Sequence, residues 1–494
     1  MPTSVLAQED GKPMNILFIM SDDHSFQVLS AYNSSYMSTP NIDRIAENGV
    51  RFTNSFVANS ISGPSRACML TGKHSHANGY TDNVNAKYDG EQQAFPQLLQ
   101  RAGYQTAMIG KLHLTSIPTG FDHTDILVGQ GHYYDPMFIH KGDTTRREGY
   151  ATTVTTDLAL KWLEKDRDQD KPFCLLLHHK APHRTWMPEI EDLGMYDHVT
   201  FPVPANMHDT YEGRQAAATQ EMDIATSMDL AYDLKLMGDD IESRYLQHAK
   251  NNIDRLDADQ RAAWDAYYAK RLAEYKELNL SGEALVEWKH QQYMRDYCTV
   301  VESLDRNIGR VLDYLEQNNL LDNTLIVYTS DQGFYVGEHG WFDKRFMYEE
   351  SFRTPLLMRL PGGRSGDVVE LVQNIDYAPT FLELAGVEIP DDIQGESLLP
   401  LLKGERVKSW RESLYYHFYE YPGEHAVKRH YGVRTERYKL IHFYDDIDVW
   451  ELYDLKRDPS EMNNIYGKRG TEKITKELKA ELERLRTKYG STEG

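Results

Sequence analysis

Two pairs of residues in this chain have the makings of a cation site. Asp22-Asp23 and Asp331-Gln332 each set two oxygen-bearing side chains next to one another. Neighbouring carboxylates repel unless a cation lies between them, and an all-oxygen set that includes an amide carbonyl suits calcium or magnesium better than zinc. A third segment, Ser62-Gly63-Pro64-Ser65-Arg66, offers a hydroxyl just ahead of an apparent helix start at Ser65. A nucleophile there gains free backbone N–H donors and the positive end of the helix dipole, both favourable to a tetrahedral oxyanion. Arg66 adds a fixed cation. The same letters also read as a serine N-cap with proline in the first turn, and on composition alone that reading wins.

The elements that position these residues are legible from hydrophobic runs. Asn15 to Ser21 is an apolar run bounded by polar residues, as expected of a strand covered on both faces, and it runs into Asp22. Similar runs from Tyr104 to Ile109, Phe173 to Leu177 and Leu325 to Thr329 lead into three further polar clusters. These are Gly110-Lys111-Leu112-His113, His178-His179-Lys180-Ala181-Pro182-His183 and Ser330-Asp331-Gln332-Gly333. Helical periodicity lies between them, with Leu158, Trp162 and Leu163 in one stretch. Tyr293, Tyr297, Val301, Leu304, Ile308, Val311 and Leu315 share one face of another. The alternation predicts an α/β fold, a large and mostly parallel sheet flanked by helices. In such sheets ligands bind beyond the carboxyl ends of the strands, where all four clusters lie.

Past about residue 390 the pattern becomes short, aromatic and β-rich: Ser413 to Phe418, Tyr431 to Thr435 and Tyr438 to Phe443. An amphipathic stretch with Ile474, Leu478, Leu482 and Leu485 follows. The expected division is a catalytic domain over 15–390 and a smaller antiparallel-sheet subdomain with a terminal helix over 391–494. Residues 205–290 are strongly polar and rich in helix formers such as Ala262, Ala263, Ala266 and Ala269. They read as a helical insertion, a solvated decoration rather than a lid over substrate.

The 494 residues carry a net charge of −22, which argues against nucleic acid as a partner. A small anionic substrate stays compatible, because surface charge is screened beyond about 8–10 Å. Cys68, Cys174 and Cys298 make neither a disulfide framework nor a zinc spacing, and Cys68 reads as a small buried filler. No apolar run approaches the roughly 20 residues that span a bilayer. Residues 1–14 read as a tail whose opening, Met1 to Gln8, resembles the end of a signal peptide and implies an exported or periplasmic protein; a short disordered tail fits as well.

The run from Ser62 to Lys73, SGPSRACMLTGK, resembles the sulfatase signature: Cys or Ser, any residue, Pro, Ser, Arg, then Thr-Gly a few residues on. Ser21-Asp22-Asp23-His24 is similar to that family's first metal motif, and Gly110-Lys111-Leu112-His113 to its Gly-Lys-x-His element. Ser330-Asp331-Gln332-Gly333, with Gly337-Glu338-His339-Gly340 and Lys344, resembles its second metal block. Tyr431 to Tyr438 and Trp450-Glu451-Leu452-Tyr453-Asp454 resemble its C-terminal subdomain, so the match is collinear over nearly the whole chain.

The resemblance, to serine-type bacterial sulfatases of the alkaline phosphatase superfamily, implies the remaining roles. Ser62 would be oxidised to formylglycine by a sulfatase-maturating enzyme and used as the aldehyde hydrate. Asp22, Asp23, Asp331 and Gln332, with residue 62, would hold Ca2+; Gln332 stands where the family often has Asn or His. Arg66, Lys111 and Lys344 would stabilise the sulfuryl oxygens. His183, or Lys344, would protonate the leaving oxygen, and His113 would take the second hydroxyl's proton.

The segment from His179 to Pro188 looks like that of bacterial sulfatases acting on 6-O-sulfated N-acetylglucosamine in host glycans. Asp343 and Arg345 flank Lys344 and are expected to grip sugar hydroxyls. His425, in the loop Tyr421 to His430, is a further candidate contact, and Trp186 either stacks on the sugar or anchors its loop. Two rival readings stay open: a phosphodiesterase or phosphonate monoester hydrolase of the same superfamily, and a non-catalytic protein that binds sulfated glycans.

Overall fold

The computed structural model describes residues 13–492, so the leader reading of the N-terminus falls almost wholly outside the described residues. A ten-stranded sheet forms the centre of the molecule. Its middle is the four strands expected from the sequence, as immediate neighbours in the order Thr324–Ser330, Asn15–Ser21, Phe173–His178 and Gln105–Lys111. All run parallel. The register sets Ser21 beside Ser330, Met20 beside His178, and His178 beside Gly110. All four chains therefore leave the sheet along one edge, and residues scattered from 22 to 331 meet there.

Alternation of side chains explains why these strands read as unbroken apolar runs. Leu17 and Ile19 point into one core layer, with Leu175, Leu177, Tyr297 and Val301. Ile16, Phe18 and Met20 point into the other, with Leu176, Met108 and Phe381. Towards the margins the sheet is mixed: Leu356–Arg359 runs antiparallel to Thr324–Ser330, and Met137–His140 antiparallel to His123–Leu127. The helix Gly282–Gln317 covers one face. Its Tyr297 hydroxyl donates to the Asp23 carbonyl at 2.6 Å and accepts from the Ser25 amide at 2.9 Å, which fixes the loop leaving the first strand.

Residues 205–290 depart from the helical expectation. Helix is confined to Leu246–Ile253, Ala258–Leu278 and the start of Gly282–Gln317, apart from one short turn at Ala217–Thr219. Ahead of them the chain runs in turns closed by carboxylates. Asp229 accepts from the amides of Ala231, Tyr232 and Arg244, and Asp223 from Thr226. Such side chain to backbone bonds compete with the helical ladder.

The C-terminal sheet has four antiparallel strands, Ser413–Phe418, His430–Thr435, Tyr438–Phe443 and Val449–Asp454. One face packs Tyr415, Val433, Leu440 and Leu452 under Leu478, Leu482 and Leu485 of the helix Glu472–Tyr489. The other packs Leu414, Tyr416 and Ile441 on Trp341, Phe346 and Phe352, which ties it to the segment just after Asp331.

Candidate active site

Ser62 is the first residue of a buried helix, Ser62–Thr71, which begins three residues earlier than its sequence suggested. Ile61 occupies the cap position, and the Ser62 hydroxyl points away from the helix to donate to Asp22 Oδ1 at 3.2 Å. The capping reading therefore fails. Gly63 is confined to glycine by crowding: a Cβ there would lie 2.3 Å from Asn83 Oδ1.

Behind Ser62 the strand ends bring three carboxylates together. The Asp23 amide donates to Asp331 Oδ1 at 3.1 Å, and Gln332 Nε2 donates to Asp23 Oδ1. Gln332 Oε1 is buried with no hydrogen-bond partner. Burial and the charges of Asp22 and Asp331 raise Asp23 to about 7, although Lys344 opposes them. Burial and Asp22 raise Asp331 to about 6 against the pull of Arg66. Crowded buried carboxylates beside an orphaned amide oxygen are the donor set of a hard divalent cation. The residues present fit calcium.

Three side-chain cations surround this cluster. Arg66 donates from Nε and Nη2 to Asp331 Oδ2 at 3.1 and 3.0 Å, and from Nη1 to the Lys111 carbonyl. Lys111 Nζ bonds Asp22 Oδ2 and Gln130 Oε1, and Lys344 Nζ donates to Asp23 Oδ2 at 2.7 Å. Burial alone would raise Asp22, but the charges of Lys111, Arg66 and Lys344 hold it well below the ordinary carboxylate range.

His183 Nδ1 donates to the Arg184 carbonyl at 2.6 Å, leaving Nε2 towards Asp23, 3.7 Å away. His113 Nδ1 is buried with no hydrogen-bond partner. Burial, reinforced by Lys111, pushes both imidazoles well below their ordinary range, so both are proton acceptors at rest. Asp23, His113, Asp343 and Arg345 hold φ of 68°, 53°, 82° and 99°. Such left-handed backbone at non-glycine residues is characteristic of functional sites.

Ser62, His113, His183, Asp343, Lys344 and Arg345 all line one cavity of about 650 Å³. Arg345 Nη1 donates to Glu420 Oε1 at 2.8 Å. His425 is not in the cavity wall: it lies behind Asp343, with Nε2 2.7 Å from Asp343 Oδ2 and Nδ1 donating to the Glu221 carbonyl. Lys344, Arg345 and His425 overcome the effect of burial and hold Asp343 well below the ordinary carboxylate range. Trp186 is also out of reach of a sugar, fully buried with its ring 4.5 Å from that of Tyr293. It anchors the loop.

Several cavity residues were not anticipated. Tyr232, Tyr245 and His248 come from the polar insertion, which is thus a wall of the cavity and not a decoration. Arg184 is clamped by Asp233 at 2.7 and 2.8 Å and stacks on Tyr232 and Tyr245. Glu420 lies two residues past the strand Ser413–Phe418 of an antiparallel sheet, where the strand-end rule of parallel sheets does not apply.

This fold and site define a hydrolase in which a helix-borne hydroxyl, a carboxylate cation site and buried lysines and an arginine meet at one cavity. Comparison with known proteins narrows the class. The sulfatase family model matches residues 14–387, and that of the C-terminal part of N-sulphoglucosamine sulphohydrolase matches 337–488. An N-acetylglucosamine-6-O-sulfatase of Bacteroides thetaiotaomicron is 53% identical over 98% of this chain and 88% of its own length. A solved complex of a 52% identical protein with its substrate D-glucosamine-2-N,6-O-disulfate superposes with a TM-score of 0.94, covering 98% of this chain and 99% of that one. A phosphonate monoester hydrolase from Silicibacter pomeroyi, 20% identical with a TM-score of 0.71 over 96% of both chains, shares the fold. The chain belongs to the sulfatase family.

Proposed function

We propose that this sulfatase removes the 6-O-sulfate from terminal N-acetylglucosamine units of host glycosaminoglycans or mucins. One observation carries the reading: Asp343 and Arg345, braced by His425 and Glu420, stand on the cavity wall on either side of Lys344. A carboxylate beside a guanidinium matches two neighbouring sugar hydroxyls. The 53% identity to an N-acetylglucosamine-6-O-sulfatase supports the choice of sugar.

In this reading a sulfatase-maturating enzyme oxidises Ser62 to formylglycine, whose hydrate supplies the attacking hydroxyl and reverts to the aldehyde as sulfate leaves. Asp22, Asp23, Asp331 and Gln332, with residue 62, would hold Ca2+, which adds positive charge beside the sulfuryl oxygens. Arg66, Lys111 and Lys344 face the same oxygens and gain strength as charge builds on them in a desolvated recess. Lys344 Nζ, or His183 Nε2 once it has taken up a proton, delivers a proton to the departing sugar oxygen. His113 accepts the proton of the second hydroxyl, a task matched to a neutral buried imidazole.

The catalytic groups belong to 15–390, and 391–494 contributes Glu420 to the sugar end of the cavity and His425 behind Asp343. Export to the periplasm accompanies the reading. Among the described residues no helix is long and apolar enough to cross a membrane.

A screen of monosulfated sugars with matured enzyme tests the proposal. Release from 6-O-sulfated N-acetylglucosamine is expected to exceed that from 2-O-, 3-O- and 4-O-sulfated sugars by about 10²-fold or more in kcat/KM. Faster release from any of those overturns the sugar assignment. Turnover of a phosphate diester by protein that keeps an unoxidised serine would favour the phosphodiesterase alternative.

A further inference from the structure

Far from Ser62, the outer part of the large sheet holds a second group of metal-competent side chains. His123 and Asp125 stand two residues apart on the strand His123–Leu127, so they share a face. His140, on the antiparallel neighbour Met137–His140, is the direct cross-strand partner of Asp125. His123 Nε2 lies 2.8 Å from Asp125 Oδ2, and His140 Nδ1 lies 3.0 Å from Asp125 Oδ1. One donor atom from each of the three falls within 4.8 Å of the others.

Hydrogen bonding accounts for only part of this geometry: His123 Nε2 bonds Asp125 Oδ2 at 2.8 Å. Asp125 is only 3% exposed, yet its Oδ1 has no hydrogen-bond partner. The nearby His140 Nδ1 instead aims its proton at the Thr124 carbonyl, 3.1 Å away. A buried carboxylate oxygen and an imidazole nitrogen thus lie 3.0 Å apart without an aligned hydrogen bond between them.

We propose that His123, Asp125 and His140 form a second metal site, of zinc class, that pins the outer strands of the sheet together. Zinc bonds of about 2.0–2.2 Å put tetrahedral donors roughly 3.3–3.5 Å apart, inside the 4.8 Å that bounds all three donors here. Two imidazoles and one carboxylate suit zinc-class ions, whereas the all-oxygen set behind Ser62 suits calcium. Water completes the shell on the solvent side, where His140 is 32% exposed. Binding takes the lone pairs of His140 Nδ1 and His123 Nε2: a neutral imidazole moves its proton to the other ring nitrogen, and an imidazolium releases one proton to solvent.

The site is separate from the catalytic edge. His123 pairs with Ala107, and Leu127 pairs with Lys111. The cluster therefore lies two to four residues back from Lys111 along the strand, since Asp125 pairs with Ile109, about 7–13 Å at 3.3 Å per residue. Beyond it lies only the fully exposed strand Asp143–Arg146, so a metal cross-link here would hold an otherwise thinly packed margin.

The test uses full-length enzyme freed of transition metals and resupplied with Ca2+, titrated with Zn2+ for thermal stability and with Co2+ for visible absorption. One equivalent is expected, with Tm rising by about 2 °C or more at a hundredfold excess over Kd. The Co2+ bands and the Tm rise should vanish in His140→Gln and in Asp125→Asn, while sulfatase turnover stays within about twofold and reports that each variant is folded. A His183→Ala variant should keep both signals. If His140→Gln fails to fold, His123→Gln takes its place. Absence of saturable Zn2+ and Co2+ binding, or signals unchanged in all of these variants, overturns the proposal.

Discussion

Two regions of this molecule bury several carboxylates among lysines and arginines, and only one of them is built to react. At the sheet edge Asp22, Asp23 and Asp331 meet Arg66, Lys111 and Lys344 beside an open cavity. Under the C-terminal sheet Glu349 and Glu461 share Lys439, with Nζ distances of 3.0 and 2.7 Å, and Arg434 holds Glu349 from the far side. Close by, Glu451 accepts from the hydroxyls of Tyr348 and Tyr453 at 2.8 and 2.7 Å. Each region has a carboxyl raised to about 7 by burial, Asp23 in one and both Glu461 and Glu451 in the other.

Burial and a shifted pKa do not tell the two apart. What does is access to substrate. Lys439 and Glu461 have fully buried side chains and Glu461 accepts the Glu349 amide at 2.7 Å, although Glu451 Oε1 and Arg434 Nη1 lack hydrogen-bond partners there. The first keeps an unpartnered amide oxygen on Gln332, an unpartnered Nδ1 on His113, and a wall open to substrate.

Removing a charge should therefore have opposite consequences in the two places. Asp331→Asn is expected to lower kcat/KM by about 10³-fold or more while costing little stability, because the lost charge was crowded by Asp22. Steady-state kinetics with a thermal melt read both quantities; a large fall in Tm with activity retained would reverse the contrast. Lys439→Met should do the opposite. It strands Glu349 and Glu461 without their shared cation, at a cost of about 3–5 kcal/mol in denaturant unfolding, with KM unchanged in the folded fraction.

A smaller effect is expected from Glu451→Gln. Burial raises Glu451 from 4.5 to about 7, although Tyr453, Tyr348 and Arg214 pull the other way. Between those values the folded protein keeps a proton that the unfolded chain has released, so this group's contribution to stability is lost as pH rises through that window. Glutamine is neutral throughout and accepts from the same hydroxyls. The variant should lack ~1–3 kcal/mol of that decline between about pH 4.5 and 7. Identical pH–stability curves for the two proteins would show that Glu451 titrates normally.

The difference between the regions also marks how far the sequence could be read. The central strands were legible because each is apolar on both faces, and their polar ends located Asp22, Lys111, His183 and Asp331. The direction of the Ser62 hydroxyl was not, since it depends on Asp22, 40 residues away. Trp186 illustrates the same limit: an aromatic in a loop beside catalytic residues looks like a sugar platform until Tyr293, far along the chain, is seen to cover it. The insertion misled because polar, alanine-rich composition describes a solvated helix and a cavity wall equally well. Its turns are set by Asp223 and Asp229, and Arg184, which it clamps, comes from the loop after the third strand. The Glu349–Lys439–Glu461 cluster left no local trace, because its members are isolated charges that folding alone unites.

The central claim is that the encoded Ser62 is the precursor of the nucleophile, and one measurement addresses it most directly. Enzyme co-expressed with a sulfatase-maturating enzyme is digested, and the mass of the Ser62 peptide is compared with turnover of 6-O-sulfated N-acetylglucosamine across preparations of differing maturation. A loss of about 2 Da is expected, with kcat proportional to the modified fraction and no turnover in Ser62→Ala. Desulfation that persists in Ser62→Ala, or that proceeds at full rate with the peptide unmodified, would contradict the account.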